Sequence, residues 1–233
     1  MSQLALPLSL QDPGVFESFW AGDNEPLVAF LRHLADSVPD NGSPPGCWIW
    51  GSEATGKTHL LQAVSERLGD DSVFVPLDQF TAAGAGILDD LANRRCVCLD
   101  NIDAVASHDH FEFGLFTLLN QIADRQVILV ASARAAPRDC GFALPDLQSR
   151  LSRLPVFYLE PLDEAGRMQA LKLRANHRGL ELPDDTARFL LSRSRRDMAS
   201  LYNLLDHLDA EALKAQRRLT IPFVRNVLLD AKG

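Results

Sequence analysis

The residues with the clearest chemical signature are Gly51 to Thr58, which satisfy the pattern G-x-x-x-x-G-K-[ST]. An apolar run, Cys47 to Trp50, precedes them and an amphipathic segment, Thr58 to Leu68, follows, so the pattern predicts a strand, a phosphate-binding loop and a helix. In such a loop backbone N–H groups point at phosphate oxygens, and the helix N-terminus adds a positive end. Lys57 is expected to reach the β and γ phosphates, and Thr58 to offer its hydroxyl to Mg²⁺. The nucleotide-binding set from this segment is Gly51, Ser52, Glu53, Ala54, Thr55, Gly56, Lys57, Thr58 and His59.

A second part of this site is predicted at the end of another apolar run, Cys96 to Leu99, which is followed by Asp100. A carboxylate in that position would hold the nucleotide's Mg²⁺ together with Thr58. The next residue is Asn101, and an amide cannot accept a proton from water. Asp103 and Glu112 are the nearby alternatives for a general base. We therefore expect a site that holds nucleotide better than it hydrolyses it.

The composition narrows the class of protein. The chain has 233 residues, 46% of them hydrophobic, which suits one large domain or a medium domain with a small one. Its net charge of −8 argues against nucleic-acid binding through overall charge. Cys96 and Cys98 share a strand face without a second pair of ligands, so buried thiols are expected rather than a zinc site. With no basic region before an apolar stretch and no 18-residue apolar run, a cytoplasmic protein without a membrane anchor is expected.

The order of elements predicts the fold class. Strands and helices alternate up to residue 160, which is typical of an α/β fold with a parallel sheet and helices on both faces. The five strands are expected at 47–50, 73–76, 96–99, 127–131 and 156–159, and the helices at 25–36, 58–68, 87–93 and 111–125. After Pro161 only helical patterns follow, at 163–177, 184–193, 198–216 and 221–229, with Asp163 as an N-cap. We expect a tail at 1–12, an α/β domain at 13–161 and a small all-α domain at 162–233.

With the loop, the strand-end Asp, a later Arg and a helical end, the chain resembles the AAA+ family. Within it, the chain is similar to the bacterial replication initiator DnaA, and more so to the short Hda-like proteins that inactivate this initiator. We expect no counterpart of the initiator's DNA-binding helices after the last predicted helix, and Asp100-Asn101 replaces the initiator's acidic pair. The resemblance implies a five-stranded AAA+ core, a helical lid and ADP or ATP with Mg²⁺ as ligand.

The N-terminal tail carries a second part of the resemblance, the run Gln3-Leu4-Ala5-Leu6-Pro7-Leu8. It is similar to the peptide with which Hda-like proteins bind the sliding clamp of DNA polymerase III, its β subunit. A Gln amide can make directional hydrogen bonds in a small pocket, spaced leucines fill an apolar groove, and Pro7 reduces the entropy lost on docking. The clamp-binding residues are Gln3, Leu4, Leu6, Pro7 and Leu8. The alternative is a segment that packs on the protein's own surface.

The run from Leu144 to Leu151 holds the Arg that, in this family, points at a neighbour's nucleotide. The resemblance makes Arg150 the candidate arginine finger, with Arg153 as the alternative. A guanidinium beside a γ phosphate stabilises charge that develops in the transition state. Ser132 matches a polar sensor of the γ phosphate, although the acidic residue that follows it in the initiator is Ala133 here.

Further positions follow from the same resemblance. Asn24, with Phe19 and Gly22, matches the region that lies over the base. The lid position of a second sensor Arg falls on Ala199, with Arg195 or Arg196 one turn earlier.

The function that the resemblance implies is a regulator of replication. Bound to the DNA-loaded clamp, it would stimulate ATP hydrolysis by DnaA and prevent re-initiation. Contact with DNA would then be indirect, through the clamp, and formation of a homo-oligomer is left open. Two alternatives stay open from the residues: a stand-alone P-loop ATPase of the initiator or loader type, and a non-enzymatic clamp adaptor.

Overall fold

The computed structural model describes residues 14–36, 45–193, 198–215 and 218–230. These residues form five β-strands: β1 (Gly46–Trp50), β2 (Ser72–Pro76), β3 (Cys96–Asp100), β4 (Ile128–Ala133) and β5 (Val156–Tyr158). They also form eight α-helices: α1 (Glu25–Asp36), α2 (Lys57–Leu68), α3 (Asp109–Arg125), α4 (Pro145–Leu151), α5 (Glu164–His177), α6 (Asp184–Arg193), α7 (Met198–Ala215) and α8 (Ile221–Asp230).

The sheet is parallel throughout, in the order β2-β3-β4-β1-β5, which confirms the predicted fold class. The register pairs Trp50 with Ala133, so β1 and β4 end side by side. Since strands of a parallel sheet share one carboxyl edge, the loop after Trp50 and the residue Asp100 at the end of β3 open onto the same edge.

Helices cover both faces of the sheet, as the alternating pattern predicts. On one face, α1 and α2 pack through Leu31 and Leu60 against Ile49. On the other face, α3 and α4 pack against Trp48 from the same strand. Successive residues of β1 therefore serve opposite cores, because side chains alternate along a strand.

The cysteines of the sheet are core residues, as predicted. Cys96 and Cys98 are fully buried on the face covered by α1 and α2, and their Sγ atoms are 3.8 Å apart. Cys47 of β1 belongs to the same cluster, and burial raises the pKa of its thiol. Thiols that stay protonated in an apolar core are unreactive, so they contribute packing.

Two expectations about helices were wrong or incomplete. The helix predicted at 87–93 is instead a pair of 3-10 turns, Ala85–Leu88 and Leu91–Asn93. They are separated by Asp90, whose φ of +62° lies in the left-handed region and interrupts a right-handed helix. The short helix α4 was not predicted as an element, although Pro145 stands at its first turn, where a missing N–H costs nothing.

The helices from α5 to α8 have an apolar core of their own, which includes Leu171, Leu190, Leu205 and Val224. The first of them begins as predicted, since Asp163 Oδ1 accepts a hydrogen bond from Gly166 N at 2.6 Å. Among the described residues, no helix combines the length and the apolar character needed to cross a bilayer.

Candidate functional site: a phosphate-binding loop at the carboxyl edge of the sheet

The loop between β1 and α2 requires glycine at both glycine positions of its sequence pattern, for steric reasons. A Cβ at Gly51 would lie 2.8 Å from the carbonyl oxygen of Leu159. A Cβ at Gly56 would lie 2.8 Å from Cε2 of Phe19, and its φ of +106° suits glycine alone. The backbone can therefore curl tightly here and come close to a ligand, as the sequence pattern predicts.

Lys57, the first residue of α2, is buried and hydrogen-bonded to the loop itself. Its Nζ donates to the carbonyl oxygens of Gly51 and Ser52 at 2.8 and 2.7 Å. Burial lowers the pKa of Lys57, and the nearby carboxylates of Asp100 and Asp103 act in the opposite direction. The ammonium is thus kept at the loop by carbonyl dipoles, which an incoming phosphate would replace.

Thr58, Asp100 and Ser132 are brought together from three elements. Thr58 Oγ1 donates to Asp100 Oδ2 at 2.7 Å, and the Ser132 hydroxyl donates to Asp100 Oδ1. Burial raises the pKa of Asp100, while the two hydroxyl donors oppose that rise. A hydroxyl and a carboxylate at one point are oxygen ligands suited to Mg²⁺, so these residues fit a nucleotide-bound magnesium ion.

The backbone conformation and the contacts of Asn101 explain why this position holds an amide side chain in place of an acidic one. Its φ is +54°, a left-handed conformation that Asn tolerates better than most residues. Its N–H donates to Ser132 Oγ at 3.1 Å, and its Nδ2 donates to Asp78 Oδ1 at 3.2 Å. An acidic side chain here would face the Asp78 carboxylate, so the local charge favours the amide.

Glu112 does not lie at the phosphate loop, although the sequence made it an alternative base. It is buried on α3 and accepts hydrogen bonds from the backbone N–H groups of Ser107, Ala143 and Leu144, at 2.7 to 2.9 Å. A carboxylate that accepts three backbone hydrogen bonds is occupied structurally. Its effect is to fix the chain just before α4.

Arg150, on the last turn of α4, lies at the opposite edge of the sheet from the loop. It lines a cavity of about 210 Å³ with Pro45 and Leu129, next to the first residues of β1 and β4, and with Arg153. The loop follows the last residue of β1. The five residues of that strand span about 15 Å at ~3.3 Å per residue. Arg150 is therefore too far away to serve the chain's own phosphate loop.

The guanidinium of Arg150 is held by an aromatic ring. Its Cζ is 5.0 Å from the centre of the Phe116 ring on α3, a distance at which the ring face attracts a cation. The side chain is partly exposed, and so is available to a partner while its direction is restricted. Arg153 is also exposed and stands beside it at the cavity.

The segment before α1 packs across the start of α2. His59 Nε2 is 2.8 Å from Val15 O, and the Phe19 ring lies 5.4 Å from the His59 ring. The structure thus places His59 against this segment, where it anchors Phe19 next to Gly56.

Asn24 connects the same segment to the end of the sheet. Its Nδ2 donates to Glu160 O at 3.0 Å, and its Oδ1 accepts from Glu160 N at 2.8 Å. The side chain is buried and both ends of its amide are used, so Asn24 fixes this segment to the chain after β5 and offers no free donor. Beside it is a cleft of about 300 Å³ whose lining includes Trp20, Gly22, Leu162 and Gly166.

Arg134 was not singled out from the sequence and stands at the loop. Its Nη1 is 3.3 Å from Glu53 Oε1, and its Nε is 3.6 Å from Asp103 Oδ2. It follows Ser132 by two positions, which is the one signal in the sequence that could have drawn attention to it. Asp103, the other alternative base, is thus paired with a cation.

Several predicted residues lie outside the described part of the chain. These are the clamp-binding run, Gln3 to Leu8, and the two lid arginines, Arg195 and Arg196. The side chain of Ala199 is likewise outside it.

The fold and the loop define an AAA+ protein. The chain is similar to domain III of the Thermotoga maritima replication initiation protein DnaA, with a TM-score of 0.73 at 19% identity, over 93% of this chain and 95% of that one. It is similar to AMPPCP-bound DnaA from Aquifex aeolicus, with a TM-score of 0.69 at 19% identity, over 88% and 68% of the two chains. It is also similar to a Thermotoga maritima RuvB variant, with a TM-score of 0.63 at 16% identity, over 91% of this chain and 72% of that one.

A finer assignment comes from the lid. Residues 163–228 match the family model described as the lid domain of Hda. This helical region is therefore similar to the Hda lid, within a chain whose fold is that of DnaA domain III.

Proposed function

We propose that this chain is a regulatory AAA+ protein that binds an adenine nucleotide and supplies Arg150 to the ATP site of a DnaA-type initiator. The observation that carries the proposal is the position of Arg150, at the sheet edge opposite the chain's own phosphate loop. A guanidinium that cannot reach its own nucleotide, yet is partly exposed and held over the Phe116 ring, suits a nucleotide held by another chain. The initiator's own site then performs the chemistry, which leaves it bound to ADP.

The phosphate loop supports the binding of nucleotide by this chain. Both glycine positions permit the required curl, and Lys57 lies within the loop. Thr58 and Asp100 offer oxygen ligands for Mg²⁺, whose charge would offset that of the phosphates. The Aquifex DnaA with a similar fold was bound to AMPPCP, which favours the same class of ligand here. ADP is the form we assign to the working protein, with the lid ordered against the core.

Two observations favour weak hydrolysis by this chain alone. Asn101 cannot act as a general base and is hydrogen-bonded to Asp78. The alternatives are engaged, because Glu112 accepts from three backbone N–H groups and Asp103 faces Arg134. We therefore favour regulation of a partner over a stand-alone ATPase.

Docking on the DNA-loaded sliding clamp is assigned to residues 3–8 from their sequence alone. Clamp binding would raise the local concentration of this chain near initiators at replicated DNA, so a weak direct contact could suffice. The net charge of −8 agrees with indirect contact to DNA through the clamp.

The test combines an initiator loaded with ATP, clamp loaded on DNA, and this protein, and follows ADP formation on the initiator. Arg150→Ala should abolish the stimulation while clamp binding persists. Deletion of residues 1–9 should remove clamp binding, and stimulation should then be lost at low protein concentration. Arg188→Ala is the matched control, since Arg188 is an exposed lid residue paired with Asp185 and remote from α4.

The outcomes separate the candidate functions. Stimulation retained by Arg150→Ala would remove this residue from the mechanism, and Arg153→Ala would then test the alternative arginine. Turnover by the isolated protein that disappears in Lys57→Ala would identify a stand-alone ATPase instead. Clamp binding with no nucleotide affinity would identify an adaptor.

A further inference from the structure

Arg134 bridges the phosphate loop and the segment after β3. Its guanidinium lies between Glu53 of the loop and Asp103, at 3.3 and 3.6 Å. Two residues earlier, Ser132 donates to Asp100. Arg134 is thus fixed by sequence to the end of β4, where the carboxyl edge of the sheet faces the loop.

The two carboxylates that pair with Arg134 differ in exposure. The side chain of Glu53 is 79% exposed and that of Arg134 is 65% exposed, whereas that of Asp103 is only 16% exposed. Ion pairs between exposed side chains are weak, so a phosphate can displace Glu53 from the guanidinium. Asp103 remains as a fixed negative charge, and its Oδ1 is buried without a hydrogen-bond partner among the described residues.

These charges act on one site. Lys57 Nζ donates to the carbonyl oxygens of Gly51 and Ser52, and Glu53, the next residue of the loop, pairs with Arg134. Lys57 and Arg134 supply two positive charges, and the three acids, Glu53, Asp100 and Asp103, supply three negative ones. Without Arg134 the net charge of these five side chains would be more negative by one. A third phosphate brings further negative charge. Its binding therefore depends on a cation that can contact it, and Arg134 is that cation.

We propose that Arg134 determines how the site distinguishes a nucleoside triphosphate from a diphosphate. It leaves Glu53 and binds the terminal phosphate of the triphosphate, while Asp103 disfavours that phosphate by repulsion. The diphosphate does not reach Arg134 and is held by the loop and Lys57. The inference rests on the proposed binding of nucleotide. It adds that the opposite charges of Arg134 and Asp103 determine the selection between the diphosphate and the triphosphate.

The experiment measures the affinities of ADP and AMPPCP, each with Mg²⁺, by calorimetry. Arg134→Ala should weaken AMPPCP about tenfold, the effect of one charge-assisted hydrogen bond, and change ADP less than about threefold. Asp103→Asn should shift the ratio of the two affinities the other way, toward AMPPCP, because it removes repulsion and leaves Arg134 in place. Arg188→Ala, with 64% side-chain exposure and an Asp partner at 3.1 Å, is the matched control and should leave both affinities unchanged.

The two variants should change the ratio of the AMPPCP and ADP affinities in opposite directions. A purely structural role of the ion pair could not produce that result. If Arg134 only braced the loop, both Arg134→Ala and Asp103→Asn would break the same pair and weaken both nucleotides together. That result, or equal losses for ADP and AMPPCP in Arg134→Ala, would overturn the inference while nucleotide binding stands. Failure of the unmodified protein to bind either nucleotide would overturn both proposals. Thermal unfolding of each variant identifies any loss that comes from misfolding, and Arg134→Lys should recover part of the AMPPCP affinity.

Discussion

Thr58 and Asp100 are in direct contact, with the Thr58 hydroxyl donating to Asp100 Oδ2 at 2.7 Å across 42 positions of sequence. The contact joins the first turn of α2 to the end of β3. Because Ser132 occupies the other carboxylate oxygen, two hydroxyl dipoles partly offset the cost of burying the Asp100 charge. A divalent cation would offset that cost more completely, so nucleotide with Mg²⁺ is expected to stabilise the charged Asp100 side chain.

Asp100→Asn should therefore stabilise the ligand-free protein and weaken the Mg²⁺-dependent part of nucleotide binding. We expect the Tm without Mg²⁺ to rise by roughly 2–4 °C, the shift that about 1 kcal/mol produces in a chain of this size. Calorimetry with and without Mg²⁺ measures the binding. The exposed residue Asp124 provides the control, since Asp124→Asn should change neither quantity.

The same variant gives a pH dependence with a defined sign. Burial raises the pKa of Asp100 in the folded state above its ordinary value of 3.8. The folded state therefore loses stability, relative to the unfolded one, as pH rises from about 4 through the raised pKa. Asp100→Asn lacks this titration, so its stability advantage in urea unfolding should be absent below pH 4 and should develop as the pH rises through the raised pKa of Asp100. An advantage that is constant with pH would contradict this account.

Lys57→Ala should reduce the affinity for ADP about 100-fold, which corresponds to the loss of about 3 kcal/mol in charge-assisted hydrogen bonds to phosphate. The variant should still fold, because it removes a buried charge together with its bonds to the Gly51 and Ser52 carbonyls. Fluorescence titration with a labelled ADP checks the affinity. Lys172→Ala, which breaks the exposed ion pair with Asp184, should bind like the parent.

Glu112→Gln should destabilise the protein and leave nucleotide binding intact. A neutral amide is a weaker acceptor for the three backbone N–H groups, and hydrogen bonds to a charged group contribute about 1.5–3 kcal/mol each, so a loss of about 2 kcal/mol is expected. Stimulation of the initiator should fall as well, because the chain that starts α4 is less fixed. Urea unfolding measures the first effect. A variant of parental stability that had lost intrinsic hydrolysis would instead assign Glu112 a catalytic role.

Phe116→Leu should weaken stimulation of the initiator about two- to fivefold, the equivalent of the roughly 0.5–1 kcal/mol that an exposed cation–π contact supplies. Leucine keeps the apolar volume and removes the ring face that directs Arg150. The control is Phe113→Leu, one turn away on α3, where the ring is 70% exposed. Equal loss in both variants would show that the helix surface matters and the ring–guanidinium contact does not.

Local patterns predicted much of the fold. The strand, loop and helix around Lys57 could be recognised because the glycines, the charge and the apolar periodicity lie within about twenty consecutive residues. The Asp163 cap and the buried Cys96–Cys98 pair were predicted for the same reason. Asn101 was correctly singled out as unusual, although its left-handed backbone and its contact with Asp78 depend on the segment after β2.

The contacts that the sequence could not predict are those between distant segments. Glu112 meets the N–H groups of Ala143 and Leu144 only because α3 and the chain before α4 cover the same sheet face. Arg134 reaches Glu53 only because β4 lies beside β1. The spacing of residues in the sequence does not indicate either contact. Both contacts can be predicted only once the order of the strands is known.

The strand order has a consequence for when the nucleotide site is assembled. β1 is the earliest of the five strands to leave the ribosome, yet its neighbours in the sheet are β4 and β5, the last two. At about 5–20 residues per second, the strand that carries the phosphate loop waits several seconds for residue 158, and pairing over such distances is slow. A ligand of the loop therefore stabilises only chains whose synthesis has passed β5, and incomplete chains gain nothing from it.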